Sequence, residues 1–306
     1  ILGRLNPNFF LGGLISLNLE KAIESISSLA KQLNLSVYET ADAIIEVANE
    51  NMSDAVRLVS IQKGYDPRKF ILVAFGGAGS LHAAAIAKKL GIPKVIIPTN
   101  PGLCSAFGLL MANLRVDKAW TKAFRSDKLD IKKLNKELKN LKNVAIKELK
   151  IQGYHGNPMQ IVSVGMRYLG QSHEHLVNLP NNEIRQDTIS LAIKKFEKIH
   201  EERYGYKLEG TSIEFVDFHV TVIGETNKPD LKILENRPAP EPKEHRSIFF
   251  SKTGFKRTPV FRRNELPANF SMQGPILIEE NDSTTLVHPN NKLEINKYGI
   301  MLISLE

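Results

Sequence analysis

Apolar residues in the first part of the chain recur mostly at helical intervals. Leu19, Ala22, Ile23, Ile26, Leu29 and Ala30 share one face of a helix predicted over residues 19–33. Ser36 opens a second helix, with Glu39 three residues on at capping-box spacing. Ala41, Ile44, Ile45, Ala48, Met52, Val56 and Val59 carry that helix to about Lys63, and the turn 64–67, ending in Pro67, stops it. A continuous apolar run, 70–75, then reads as a buried strand of a parallel sheet. It passes through Gly76, Gly77, Ala78 and Gly79 into an alanine-rich helix with Leu81, Ala84, Ala85 and Leu90 at helical spacing. A short strand at 94–97 and a second glycine-bounded helix start at 102–108 repeat the strand-to-helix order. Two such units in succession predict an α/β layer architecture with a partly parallel sheet. Residues 115–124 read as a strand leaving that layer.

The pattern changes after the lysine-rich stretch 128–150. There Leu129, Leu134, Leu138 and Leu141 form a stripe among solvated lysines, which predicts a helix connecting two domains. Beyond it the chain reads as α+β. A hairpin is predicted around Gly170 from 160–169 and 174–179, a helix over 187–204, and a strand over 212–223. Residues 226–246 hold four prolines and many charges and read as a surface connection. Short strand-like runs follow at 248–250, 275–278, 283–287 and 300–305. The expected division is a first domain over 1–126 and a second over 127–306.

Composition narrows the class. The apolar content is ordinary for a globular protein, and no apolar run approaches 18 residues, so no membrane span is expected. The net charge of +8 suggests nucleic acid, but its placement argues against that partner. Residues 1–126 hold 14 basic and 9 acidic side chains, 127–152 hold 8 and 4, and 153–306 hold 19 and 20. The most basic segment lacks the arginine and aromatic interleaving of a nucleic-acid surface. The lone cysteine, Cys104, excludes an internal disulfide framework and a multi-cysteine zinc site. It fits a packed small residue and a reducing, cytoplasmic setting. The start of the sequence has no initiator Met and no signal-peptide core, so a fragment or a processed chain is expected.

Strand, glycine turn and helix in that order place backbone N–H groups and the positive end of a helix dipole at one point, which favours an anion such as phosphate. The turn at 76–79 matches neither the P-loop nor the dinucleotide fingerprint, so the residues alone leave two readings open. The glycines bind phosphate, or they only permit a sharp turn and close helix packing. His82, one turn into the helix, contacts a nucleotide or packs. Asn51 and Arg57 on the preceding helix could reach a ligand at the turn, though solvated positions suit them better. His173 and His175 would share a strand face, but no third metal ligand is evident, and a surface strand explains them. The cluster 279–282 (Glu-Glu-Asn-Asp) reads as a solvated turn rather than a cation site. No general base can be named.

The run 75–84 (Phe-Gly-Gly-Ala-Gly-Ser-Leu-His-Ala-Ala) resembles the FGGAG-x-x-HA signature of the hydantoinase A/5-oxoprolinase family, which includes N-methylhydantoinase A and the acetone carboxylase beta subunits. Further segments resemble that family in order: Leu2 to Pro7 with Phe10 to Gly13, Val47 to Asn49 through Gly64 to Arg68, and Pro101-Gly102 with Ser105, Ala106 and Gly108. Arg167-Tyr168, Gly170-Gln171, His200 with 203–206, and 274–280 with 283–285 continue the match, which covers nearly the whole chain. The resemblance implies the carboxy-terminal half of an actin-like ATPase domain, as in sugar kinases and heat-shock chaperones, followed by an α+β domain. It implies ATP and Mg as cofactors and ATP-dependent activation of a cyclic amide or ketone for ring-opening hydrolysis or carboxylation. It assigns the adenosine and α-phosphate side of the nucleotide to Gly76, Gly77, Ala78 and Gly79, and extends to Ser80 and His82. The family's Asp-x-Gly-Gly-Thr phosphate loop and second glycine-rich loop are absent from this sequence. The metal-binding aspartate and most β- and γ-phosphate contacts are therefore expected from an amino-terminal half, with a hydantoinase B-type subunit as a further partner. A non-catalytic assembly module, with a structural glycine turn, is the rival reading.

Overall fold

Two side-chain caps set the first helices. The computed structural model describes residues 1–180 and 183–306. Asn18 accepts the Lys21 N–H at 2.9 Å to open α1 (Leu19–Leu33), which ends on Asn34 in the left-handed region. Ser36 and Glu39 form the expected capping box at the head of α2 (Val37–Val59). This helix stops four residues short of Lys63, where a 3-10 turn (Ile61–Lys63) closes on Gly64 at φ 82°. Strand β1 is only Leu72–Val73, α3 spans Gly79–Leu90, and β2 (Lys94–Ile97) lies parallel to β1. Small residues let α3 pack closely: Ala83, Ala84 and Ala87 are buried. The expected buried strand is corrected. β1 is a sheet edge, paired among the described residues with β2 alone, and Phe70, Ile71, Val73 and Phe75 are each about half exposed. Helix α4 (Cys104–Met111) buries none of its residues.

The next unit is a four-stranded antiparallel sheet with two helices. Its elements are β3 (Leu114–Arg125), α5 (Ile131–Ile151), β4 (Met159–Tyr168), β5 (His175–Asn178), α6 (Gln186–Tyr204) and β6 (Ile213–Gly224), in sheet order β3-β6-β4-β5. The lysine-rich helix is α5. Leu134, Leu138, Ala145 and Leu149 bury its stripe in the core of this unit, so it is a structural layer and not a bare connection.

After an extended segment the chain forms β7 (Glu244–Phe250), β8 (Gly254–Arg262), β9 (Ser271–Gln273), β10 (Ile276–Glu279), β11 (Thr284–Val287), β12 (Lys292–Ile295) and β13 (Met301–Ser304). These build a four-stranded sheet, β11-β10-β8-β7, and complete a five-stranded one, β1-β2-β13-β12-β9. The compact units are therefore Ile1–Leu109 with Asp230–Glu306, and Leu110–Pro229. This differs from the division at 126, which put 230–306 in the second domain. β2 presents the buried side chains of Val95 and Ile97 on a strand that needs a second neighbour. Met301 and Ile303 of β13 supply it, pairing with Ile97 and Val95, and all four side chains are fully buried.

Candidate functional site

The glycine turn is held from both sides by backbone. Ala74 N–H donates to the Ile96 carbonyl at 2.9 Å, and Gly76 N–H to the Pro101 carbonyl at 2.7 Å. Gly76 has φ +89°, where a side chain would be strained. A Cβ on Gly77 would lie 3.3 Å from the Asp282 carbonyl oxygen, and one on Gly79 would make only ordinary contact with Ala74. Helix α3 has Ala78 at its N-cap, with no side-chain cap bond and no acidic residue in its first turn. Its first amides therefore have no intrahelical acceptor, and the helix dipole adds positive potential there. A cavity of about 330 Å³ opens at this point. Gly77, Ala78 and Leu81 form one wall, Leu5 and Phe9 another, and residues 279–284 a third.

The six residues assigned to nucleotide binding separate here. Gly77 and Ala78 line the cavity, with Gly76 and Gly79 shaping the backbone around them. Ser80 is buried, and its hydroxyl donates to the Thr284 carbonyl at 2.9 Å, fastening α3 to β11. His82 faces α2, where Nδ1 donates to Asn49 Oδ1 at 2.8 Å. Burial, then the charge of Arg4, lowers its pKa, so the ring is a neutral packing partner. Asn51 is exposed, and Arg57 is paired with Glu50 and Asp54.

The acidic cluster is not a solvated turn. Glu279 is 3% exposed, with Arg246 Nη2 at 2.9 Å from one carboxylate oxygen and Arg262 Nη1 at 3.0 Å from the other. Glu280 accepts the Ser283 hydroxyl at 2.8 Å and sits 3.5 Å from Arg263. Burial raises the Glu280 pKa, against the opposing pull of Arg263. Arginines thus occupy these carboxylates, and no group of three metal-ligating side chains occurs among the described residues. His175 is also corrected. It is 4% exposed, in a ring cluster with Phe196, His200 and Tyr204, because its face of β5 packs on α6. Sequence reasoning missed Phe9 and the three arginines. Arg262 stacks over the Phe9 ring at 3.2 Å from its centroid. The signal was a pair of basic residues, 262–263, facing a pair of acidic ones, 279–280, and it becomes readable only once β8 and β10 are known to be parallel neighbours.

His288 follows β11. Burial first, then the charges of Arg4 and Lys88, lowers its pKa to about 4, against the weaker opposing effect of Glu46 and Asp42. A histidine whose folded pKa is depressed contributes stability above pH 6.5 that is lost as pH falls towards 4. The size is at most about 3 kcal/mol. Denaturant unfolding at pH 7, 5.5 and 4.5 checks this. The wild type should lose more stability across that range than His288→Gln, and equal losses would remove His288 as the cause.

Residues 1–118 match the family described as hydantoinase/oxoprolinase, and residues 123–304 match the hydantoinase/oxoprolinase C-terminal domain. An uncharacterised protein of Methanocaldococcus jannaschii is 36% identical over 99% of this chain and 43% of its own length. Caprolactamase subunit alpha of Pseudomonas jessenii is 32% identical over 96% of this chain and 44% of its own. The crystal structure of the ATP-dependent caprolactamase from that organism superposes with a TM-score of 0.81 at 31% identity, covering 99% of this chain and 45% of that one. Nucleotide-free acetone carboxylase shares the fold, with a TM-score of 0.78 at 22% identity over 99% of this chain and 45% of that one. The chain spans less than half the length of these relatives.

Proposed function

The chain belongs to the hydantoinase/oxoprolinase family, and from that premise we propose that it is part of an ATP-dependent subunit that activates a cyclic amide or carbonyl substrate for ring opening or carboxylation. The observation that carries this reading is the uncapped amino-terminus of α3, opening onto a cavity through Gly77 and Ala78. In this reading β1, α3, β2 and α4 belong to the carboxy-terminal half of an actin-like nucleotide-binding domain. The amides of residues 77–79 receive the α-phosphate. The cavity takes the adenosine, with the Asp282 carboxylate available to accept hydroxyl hydrogen bonds. Bound ATP would supply the phosphoryl group that activates the substrate. Glu279 and Glu280 do not suit Mg, because arginines hold both carboxylates. The metal and the outer phosphates therefore fall to an amino-terminal half of the same subunit.

The half-exposed edge at β1, with Phe70, Ile71, Val73 and Phe75, supports docking of that half. A hydantoinase B-type subunit is the further partner in this reading. No helix among the described residues is long and apolar enough to cross a membrane.

Calorimetric titration with ATP and ADP tests the site, using the chain alone and with the family's amino-terminal half added. Wild type should bind, and a folded Gly77→Val variant should bind at least tenfold more weakly, because the isopropyl group fills the cavity wall against the Asp282 carbonyl. Binding that survives Gly77→Val would displace the nucleotide from this turn. Silence in both settings would favour an assembly module.

A further inference from the structure

A second cavity, of about 490 Å³, shares Leu81 with the first. It is bounded by the amino-terminal segment at Arg4, by α2 at Glu46 and Asn49, by Lys88 and Lys89 of α3, by the β7–β8 turn at Lys252, and by residues 288–291. None of the roles argued above uses it. Its volume falls in the range of small-molecule pockets. Part of its wall is apolar, with Ile45, Leu81, Ala84 and Phe250.

Its charges do not cancel. Three carboxylates are near, and all are engaged. Asp42 holds Arg4 at 3.0 Å in a pair whose side chains are only 11% and 10% exposed. Glu46 holds Lys89 at 3.1 Å, and Glu50 holds the same ammonium at 3.0 Å. Lys88 and Lys252 have no carboxylate partner among the described residues. Arg4 itself is incompletely satisfied, because its Nε is buried without an acceptor. Neutral donors stand beside these cations, the His288 ring and the side-chain amide of Asn290, while the Asn49 amide already donates to Glu46 at 3.2 Å. Two uncompensated ammonium groups, a buried arginine and an amide donor around a partly apolar wall form a recognition surface for an anionic head on a small organic body.

We propose that this cavity binds a small organic oxyanion, a carboxylate- or phosphate-bearing molecule, held by Lys88 and Lys252 at its mouth and by Arg4 at its base. The site is independent of the nucleotide reading of the glycine turn. The lysines provide the mobile contacts, and the buried pair fixes the shape of the floor. An incoming anion offsets the positive field of Arg4 and Lys88 that acts on His288, so the ring reports occupancy.

The test is histidine-selective NMR of the full chain, with the His288 signal assigned from His288→Gln. Inorganic phosphate and glutarate are titrated separately at constant ionic strength, with sodium chloride as the blank. A saturable shift of His288 with either probe, and a titration midpoint that moves upward when the probe is present, is the expected result. The effective probe identifies whether phosphate or carboxylate is recognised. The Lys88→Ala/Lys252→Ala double variant should weaken that binding tenfold or more. Both lysines are exposed, so the variant should fold, and unchanged signals from the other histidines verify that. A chloride response equal to that of the probes, no saturable response to either probe, or full affinity in the double variant would each overturn the proposal.

Discussion

Glu279→Ala should destabilise the first compact unit by about 3–5 kcal/mol, the cost of breaking a buried ion pair from one side. Glu279 sits at the end of β10 with almost no exposure, between Arg246 of β7 and Arg262 of β8. Removing its carboxylate leaves two guanidinium groups largely out of water. Arg246 keeps its pair with Glu244, but Glu244 is about half exposed and compensates less. Arg262 keeps the face of Phe9 and, among the described residues, no other partner for its charge. Glu279 therefore ties three strands together and, through Arg262 and Phe9, secures the 5–11 segment that walls the cavity at the glycine turn. Thermal unfolding should show the midpoint falling by roughly 10 °C. A triple variant with apolar residues at 246, 262 and 279 should recover much of that loss, since apolar replacements of a whole buried charge cluster are often neutral. A midpoint within 2 °C of wild type in Glu279→Ala would show that the arginines are solvated and the ion pairs carry little.

Local physics made the helices legible. The apolar stripe of α1 gave its limits, and the Ser36–Glu39 spacing is the capping box that forms. The glycine turn was readable because strand, turn and helix are consecutive in the chain. What stayed hidden depends on partners far away in sequence. Strand β8 has Lys256, Arg257, Pro259 and Arg262 among its nine residues, and only Thr258, Val260 and Phe261 are buried, so no clean alternation marks it. It forms because β7 and β10 flank it. The return of the last 77 residues to the first unit rests on β2–β13 pairing across some 200 residues, which no local pattern encodes. The same holds for the cavities. Phe9, Ala78 and Glu280 converge at one, and Arg4, Lys88 and His288 at the other, each triplet drawn from three distant stretches. The motif residues Ser80 and His82 look like nucleotide contacts in a linear reading because they follow the glycines. In space each is turned to a neighbouring element, Ser80 to β11 and His82 to α2.

Strand β6 shows that placing a strand does not by itself assign its faces, and it sets the second large prediction. Simple alternation would put Phe215 and Phe218 on opposite faces. Both are buried in one core, because the pairing with β4 shifts register between Val164 and Met166, opposite 215–218. The extra residue on β6 is a bulge, which reverses the side-chain parity. Phe218 is fully buried on the strand between β3 and β4, with ring centroids 5.6 Å from Trp120 and 6.0 Å from Phe124. Phe218→Ala should cost about 3–5 kcal/mol, from lost transfer energy and the cavity left behind. Trp120 is the chain's one tryptophan and touches the site, so its fluorescence reports the unfolding of this unit directly. Its denaturant midpoint should fall sharply, while Leu176→Ala, at a position 56% exposed on β5, should change stability by no more than about 0.5 kcal/mol. Equal effects from the two substitutions would mean that Phe218 does not anchor this core and that the bulged register is wrong.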